Sequence, residues 1–166
     1  MAETVTRRAR NISRMVCGVI IVVVLWGDQT TKDLVERSVP ENTLSPILPG
    51  FFNLTHVKNT GAAFGLLSDS PAAWKTGLLI AVSALLLVVV TTWLWRSRQL
   101  QWETHAGLAL ILGGALSNLI DRIRYGRVVD FLDFYIQRYH WPSFNLADTA
   151  IVIGASFLVL HILFAE

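Results

Sequence analysis

Residues 76–95 read TGLLIAVSALLLVVVTTWLW, a run without a single charged side chain. About 20 helical residues, each rising 1.5 Å, cross a hydrocarbon layer about 30 Å thick, so this stretch is long enough to span a membrane. Three further windows lie on either side of it: MVCGVIIVVVLWGDQTT at 15–31, THAGLALILGGALSNLI at 104–120 and TAIVIGASFLVLHILFA at 149–165. One such window fits the buried helix of a soluble domain, but a chain of 166 residues has no soluble core able to hide all of them. The spacing predicts spans over 15–31, 76–95, 104–120 and 149–165 in a single membrane domain covering 1–166.

Composition points the same way, with 53% hydrophobic and only 16% charged residues and a mean hydropathy of +0.50. Fourteen basic against twelve acidic residues leave +2, and no dense basic patch lies beyond the N-terminus, so no nucleic acid partner is expected. The single cysteine, Cys17, excludes an internal disulfide and a cysteine metal cluster. The opening ETVTRRARNISR precedes an apolar run as in a secretory signal, but Asp28 and Lys32 follow without a small-residue cleavage pattern, which favours a retained first span. Trp26, Trp74, Trp93, Trp95 and Trp102 flank the first three spans, as in an interfacial belt.

Four spans put both termini on one side. Arg7, Arg8, Arg10, Arg14, Arg96 and Arg98 favour a cytoplasmic location for them. Lys32, Arg37, Lys58, Lys75, Arg122, Arg124, Arg127 and Arg138 fall opposite, so orientation rests on the dense N-terminal cluster. The connections on that opposite side, roughly 33–74 and 121–146, are where function is expected. FFNLTHV at 51–57 alternates partly and carries β-branched residues, predicting short strands at the membrane surface. The expected fold is an all-α polytopic membrane protein, four transmembrane helices with a small extracytoplasmic β-containing cradle.

Polar residues gather where the spans end. Asp28 and Lys32 are four apart on one helical face and can form an ion pair, either structural or facing a polar cavity. Asn118 and Arg122 repeat that spacing, and Arg122 can hold a carboxylate bidentately. Asp121 is expected to be a local partner. Asn145 can cap the fourth span with Asp148 in its first turn, a bland role that does not explain why a second acid, Asp130 in GRVVDFLDF, also approaches the apolar layer. By composition Asp133 is as good a candidate as Asp130.

The blocks DQTTK at 28–32, NTGAAFG at 59–65, GGALSNLIDR at 113–122, GRVVDFLDF at 126–134 and FNLADTAI at 144–151 together resemble the lipoprotein signal peptidase (signal peptidase II) family. They touch the span boundaries in that family's order. The resemblance implies a membrane aspartic endopeptidase without cofactor or metal, in the bacterial inner membrane, with its active site near the extracytoplasmic face. It implies Asp130 and Asp148 as the catalytic pair, with Asn59, Asn118, Arg122 and Asn145 around substrate, Gly61 permitting close approach, and Asp28 and Lys32 supporting the first helix. Ser117 and Ile123 read as ordinary variation. The implied substrate is a diacylglyceryl-modified prolipoprotein cleaved immediately before its lipidated cysteine; membrane lipid and a cyclic peptide inhibitor are further implied ligands.

The residues suit that chemistry. Two close aspartates share one proton, so that one activates water while the other polarises the carbonyl and protonates the leaving nitrogen. Metal hydrolysis fits less well: no HExxH occurs, and His56, His105, His140 and His161 are scattered. GASF at 154–157 is no nucleophile elbow, and NIS at 11–13 and NLT at 53–55 match glycosylation only formally. Two other classes use the same polar residues: a small transporter or channel subunit, and a lipoprotein-binding chaperone that does not cut.

Overall fold

A computed structural model describes residues 2–61, 72–96 and 101–164. Its four helices are α1 (Ala2–Ser38), α2 (Ala72–Arg96), α3 (Trp102–Tyr125) and α4 (Leu146–Phe164). Each contains a stretch long and apolar enough to cross a membrane, namely Asn11–Ser38, Trp74–Arg96, Trp102–Tyr125 and Leu146–Phe164. Large apolar side chains point outward along them, among them Val22, Leu85, Val88, Val152 and Ile162, all more than half exposed. That is the inverse of a water-soluble bundle and suits a lipid surround.

The helices overrun the windows read from hydropathy. α1 continues past Thr31 to Ser38 and α3 past Ile120 to Tyr125, so Asp121 and Arg122 belong to a helix and not to the connection. Hydropathy detects the part of a helix that must be apolar, whereas backbone hydrogen bonding continues until something ends it. For α3 the stop is Gly126, whose φ of 67° is left-handed and whose N–H returns to the Arg122 carbonyl at 3.0 Å.

α3 is the central helix, mostly buried where the other three are mostly exposed, and it packs against all three. Val90, Leu108, Ile111 and Leu112 form its apolar core with Ile21, Leu87, Leu94 and Leu158 around them. Its glycines set the approach of α4: a Cβ on Gly107 would lie 2.8 Å from the Gly154 carbonyl oxygen, and one on Gly114 only 2.3 Å from that of Ala147. Small residues let two apolar helices meet backbone to backbone, where lipid gives no hydrophobic drive to associate. At the other end of the bundle Arg14 lies 4.9 Å from the Trp95 ring, bringing the first half of α1 beside the end of α2.

The connections fold as a four-stranded antiparallel sheet in the order β1 (Leu44–Leu48), β2 (Phe52–Asn59), β3 (Val128–Ile136) and β4 (Tyr139–His140). The strand expectation for FFNLTHV is met by β2, but β3, embedded in the GRVVDFLDF block, was not foreseen. The label all-α therefore covers the spans alone. Val35, Val129 and Phe131 pack the end of α1 against this sheet. Pairing of β2 with β3 joins the α1–α2 connection to the α3–α4 connection at one end of the bundle. The register shifts between Leu54 and Val57, two β2 residues facing one on β3, after which Val57 pairs with Asp130 and Asn59 with Val128.

Candidate active site

Alternation along a strand puts Asp130 on the same face as Val128 and opposite to Asp133. Because Asn59 pairs with Val128, its side chain is the diagonal neighbour of Asp130, and its Nδ2 donates to Asp130 Oδ2 at 2.9 Å. Gly61 N–H in turn donates to Asn59 Oδ1 at 2.8 Å, fixing the amide's orientation. Asn59 thus holds the acid while also lining a cavity beside it. Residues 62–65 of the NTGAAFG block lie outside the described residues.

Asp148 arrives from α4. Asn145 Oδ1 accepts the Asp148 N–H at 2.9 Å while Asp148 Oδ2 accepts the Asn145 N–H at 3.3 Å, a reciprocal capping box that starts the helix. The capping role foreseen for these residues is real, and it coexists with a second one. Asn145 Nδ2 donates to Asp130 Oδ1 at 2.7 Å, and Asn118 Nδ2 donates to Asp148 Oδ1 at 2.8 Å. One asparagine therefore links both acids, and each carboxylate accepts a hydrogen bond on either oxygen.

Asp130 and Asp148 line one cavity of about 410 Å³ together with Asn59, Asn118 and Arg122. Its other wall is apolar, made by Trp141, Pro142 and Phe144 before α4 and by Ile151, Val152 and Ile153 on it. Burial raises the pKa of Asp130 from the ordinary 3.8 to about 7, helped by the Asp148 charge and opposed by the Asn59 and Asn145 hydrogen bonds and by Lys32.

Behind the acids lies a buried ionic network. Lys32 Nζ contacts Asp28 Oδ2 at 2.6 Å, Asp121 Oδ2 at 2.6 Å and Asn118 Oδ1 at 2.8 Å. The lysine orients the asparagine that holds Asp148, and it compensates two carboxylates that are otherwise out of water. Asp121 is the local partner expected, and it also accepts Gln29 Nε2 at 2.7 Å. Gln29 and Ser117 were missed. Both sit inside quoted blocks, and the signal lay in their types, since an amide and a hydroxyl at the polar end of an apolar span need partners. Ser117 is fully buried and donates to Asp28 Oδ2 at 2.7 Å, whereas Ile123 is exposed.

The Arg122 guanidinium donates to the Asn118 and Gly61 carbonyls at 3.3 and 3.4 Å, and the bidentate hold on a carboxylate that its type permits is not used among the described residues. Arg122 lines the cavity and ties α3 to Gly61. Asp133 is held elsewhere, by Asn53 Nδ2 at 2.7 Å and His140 Nδ1 at 2.9 Å. Asn53, the asparagine of the formal NLT pattern, is itself buried and committed to Asp133. No group of three or more His, Cys, Asp or Glu arranged to hold a metal occurs among the described residues.

Residues 20–164 match the family described as Signal peptidase (SPase) II. Proteins named lipoprotein signal peptidase are similar along most of their length: 42% identical over 136 residues in Solibacter usitatus, covering 82% of this chain and 83% of that one. The counterpart in Desulforapulum autotrophicum is 43% identical over 146 residues, with 87% and 90% covered, and that in Nitratidesulfovibrio vulgaris 45% over 142, with 86% and 85% covered. A bacterial membrane enzyme structure obtained by the in meso method at 2.3 Å resolution superposes with a TM-score of 0.80 at 30% identity, covering 89% of this chain and 87% of that one. A second, at 1.9 Å, gives a TM-score of 0.79 at 30% identity, covering 91% and 94%.

Proposed function

The chain belongs to the signal peptidase II family, and from that premise we propose that Asp130 and Asp148 are the pair with which it removes signal peptides from prolipoproteins. The observation that carries this reading is their meeting in one cavity from different elements, bridged by Asn145 and each held by a further asparagine. In the reacting state the pair holds one proton, a state that a pKa of about 7 keeps well populated at neutral pH. Asp130, whose pKa is about 7, keeps it and directs it at the scissile carbonyl oxygen. Asp148 takes a proton from water as the water adds to that carbon. The carbon–nitrogen bond then breaks, the nitrogen leaves with a proton from the pair, and the signal peptide departs as a carboxylic acid.

The cavity's division into a polar end and an apolar wall supports a substrate with a peptide and a lipid part, a prolipoprotein whose cysteine carries diacylglyceryl and is cut just before it. A cyclic peptide inhibitor competes for the same space. The protein is a multi-pass membrane protein; we place it in the bacterial inner membrane with both termini cytoplasmic and the sheet extracytoplasmic, on the N-terminal arginines. The test is cleavage by Asp130→Asn and Asp148→Asn proteins that still fold. Each is expected to lose cleavage by at least about a hundredfold; retained cleavage in either removes that residue from the pair. Transport unaffected by loss of cleavage would favour the channel class.

A further inference from the structure

The first turn of α4 is held by groups that do not belong to α4. Ala147, fully buried, donates its N–H to Asp28 Oδ1 at 2.9 Å. Its carbonyl oxygen nests where a Cβ on Gly114 would come within 2.3 Å. Asp148 is the next residue, so the carboxylate of Asp28 on α1 helps set where Asp148 stands. Asp28 Oδ2 accepts Ser117 Oγ–H at 2.7 Å and contacts Lys32 Nζ at 2.6 Å. The Ser117 hydroxyl in turn accepts Gln29 Nε2 at 3.0 Å, which leaves its own proton committed to Asp28.

Lys32 alone does not fix Asp28. Its ammonium is shared with Asp121 and Asn118 on a flexible stem, and a carboxylate facing only an ammonium can turn to offer it both oxygens. A turn of that kind takes Oδ1 away from the Ala147 amide. The serine hydroxyl, short and rooted in the central helix, removes this freedom.

We propose that Ser117 is a positioning residue for the cleavage reaction: its hydroxyl orients Asp28 so that the opposite carboxylate oxygen holds the Ala147 amide, one residue before Asp148. The proposal rests on the reading of Asp148 as half of the reacting pair. Ser117 touches no reacting atom. Its removal orphans no charge, because Asp28 keeps Lys32 and Gln29 keeps Asp121, so the fold survives while the α4 turn loosens. Small errors in placing a reacting group cost far more in turnover than in stability.

The experiment compares the full chain in nanodiscs with Ser117→Ala, Asp28→Asn and the double variant, using a diacylglyceryl-modified signal peptide as substrate. Ser117→Ala is expected to keep its Tm within about 2 °C and its KM within about twofold, while kcat falls about tenfold. Exchange of the Ala147 amide, read by NMR, speeds up by about tenfold. In the Asp28→Asn background the same change costs less than about twofold, because the two residues act in series. Unchanged kcat in Ser117→Ala, or an equal loss in both backgrounds, overturns the proposal. Should Ser117→Ala fail to fold, Ser117→Cys, similar in size and a weaker donor, serves: a partial loss of kcat with faster Ala147 exchange is expected, and parental values for both overturn it. If the parent protein cuts nothing, the peptidase reading fails, and Ala147 exchange still decides whether Ser117 acts on this turn.

Discussion

Asp130 and Asp133 stand three residues apart on β3, both 3% exposed, and are separated by what holds them. Asp133 is bound by Asn53 and His140 away from the cavity, whereas Asp130 faces Asp148 across it. The raised pKa of Asp130 has consequences of definite sign. The folded protein binds this proton more tightly than the unfolded chain, whose ordinary value is 3.8. The resulting stabilisation is complete below about pH 4 and is lost as pH rises through about 7. Thermal melts should therefore fall over that window in the parent protein and flatten in Asp130→Asn; identical profiles would contradict the assignment. If Asp130 is the proton donor as proposed, cleavage should likewise decline above about pH 7 as it loses that proton. Composition does not tell Asp130 from Asp133, because both lie in one apolar run. Strand alternation separates them, but only once β3 is recognised, and its overlap with a helix-flanking block hid it.

Among the elements, α3 contributes most to the site. It supplies Asn118 and Arg122 to the cavity, Ser117 and Asp121 to the ionic network, and Gly107 and Gly114 to the contact with α4. Gly114→Ala should destabilise by about 1–3 kcal/mol and depress cleavage further, since the Ala147 carbonyl it strikes belongs to the turn bearing Asp148. Gly18→Ala, whose Cβ would meet nothing within 4 Å, should change stability by less than about 0.5 kcal/mol. Lys32→Met removes the cation that bridges Asp28 and Asp121 and should cost about 3–5 kcal/mol in chemical unfolding; a loss of under about 1 kcal/mol would show that the network contributes little. The helices were legible because a membrane span demands a long apolar run, and the i to i+4 spacing of Asp28 and Lys32 announced their pair. Their polar ends were not, because hydropathy is silent beyond the apolar layer. The reach of Lys32 to α3 was hidden as well, since it joins residues 89 positions apart.

For the whole molecule, the charge count bears on the proposed topology. The cations opposite the termini outnumber those beside them, yet Lys32, Arg37, Lys58 and Arg127 each face an acid. Pairing does not cancel a cation in setting orientation, so the proposed cytoplasmic placement of the termini rests on the density of the N-terminal arginines. With Cys17 replaced by Ser, a cysteine at Arg138 should react with a membrane-impermeant maleimide in intact spheroplasts, and one at Gln101 only after permeabilisation. The reverse pattern would invert the topology. Whether the two acids joined by Asn145 cut a lipidated signal peptide is best measured with purified protein in nanodiscs acting on that peptide with and without diacylglyceryl on its cysteine. The expected result is a cut immediately before the lipidated cysteine, absent in folded Asp130→Asn and Asp148→Asn proteins. Cleavage that survives either substitution, or a folded parent protein that cuts neither peptide, would contradict it.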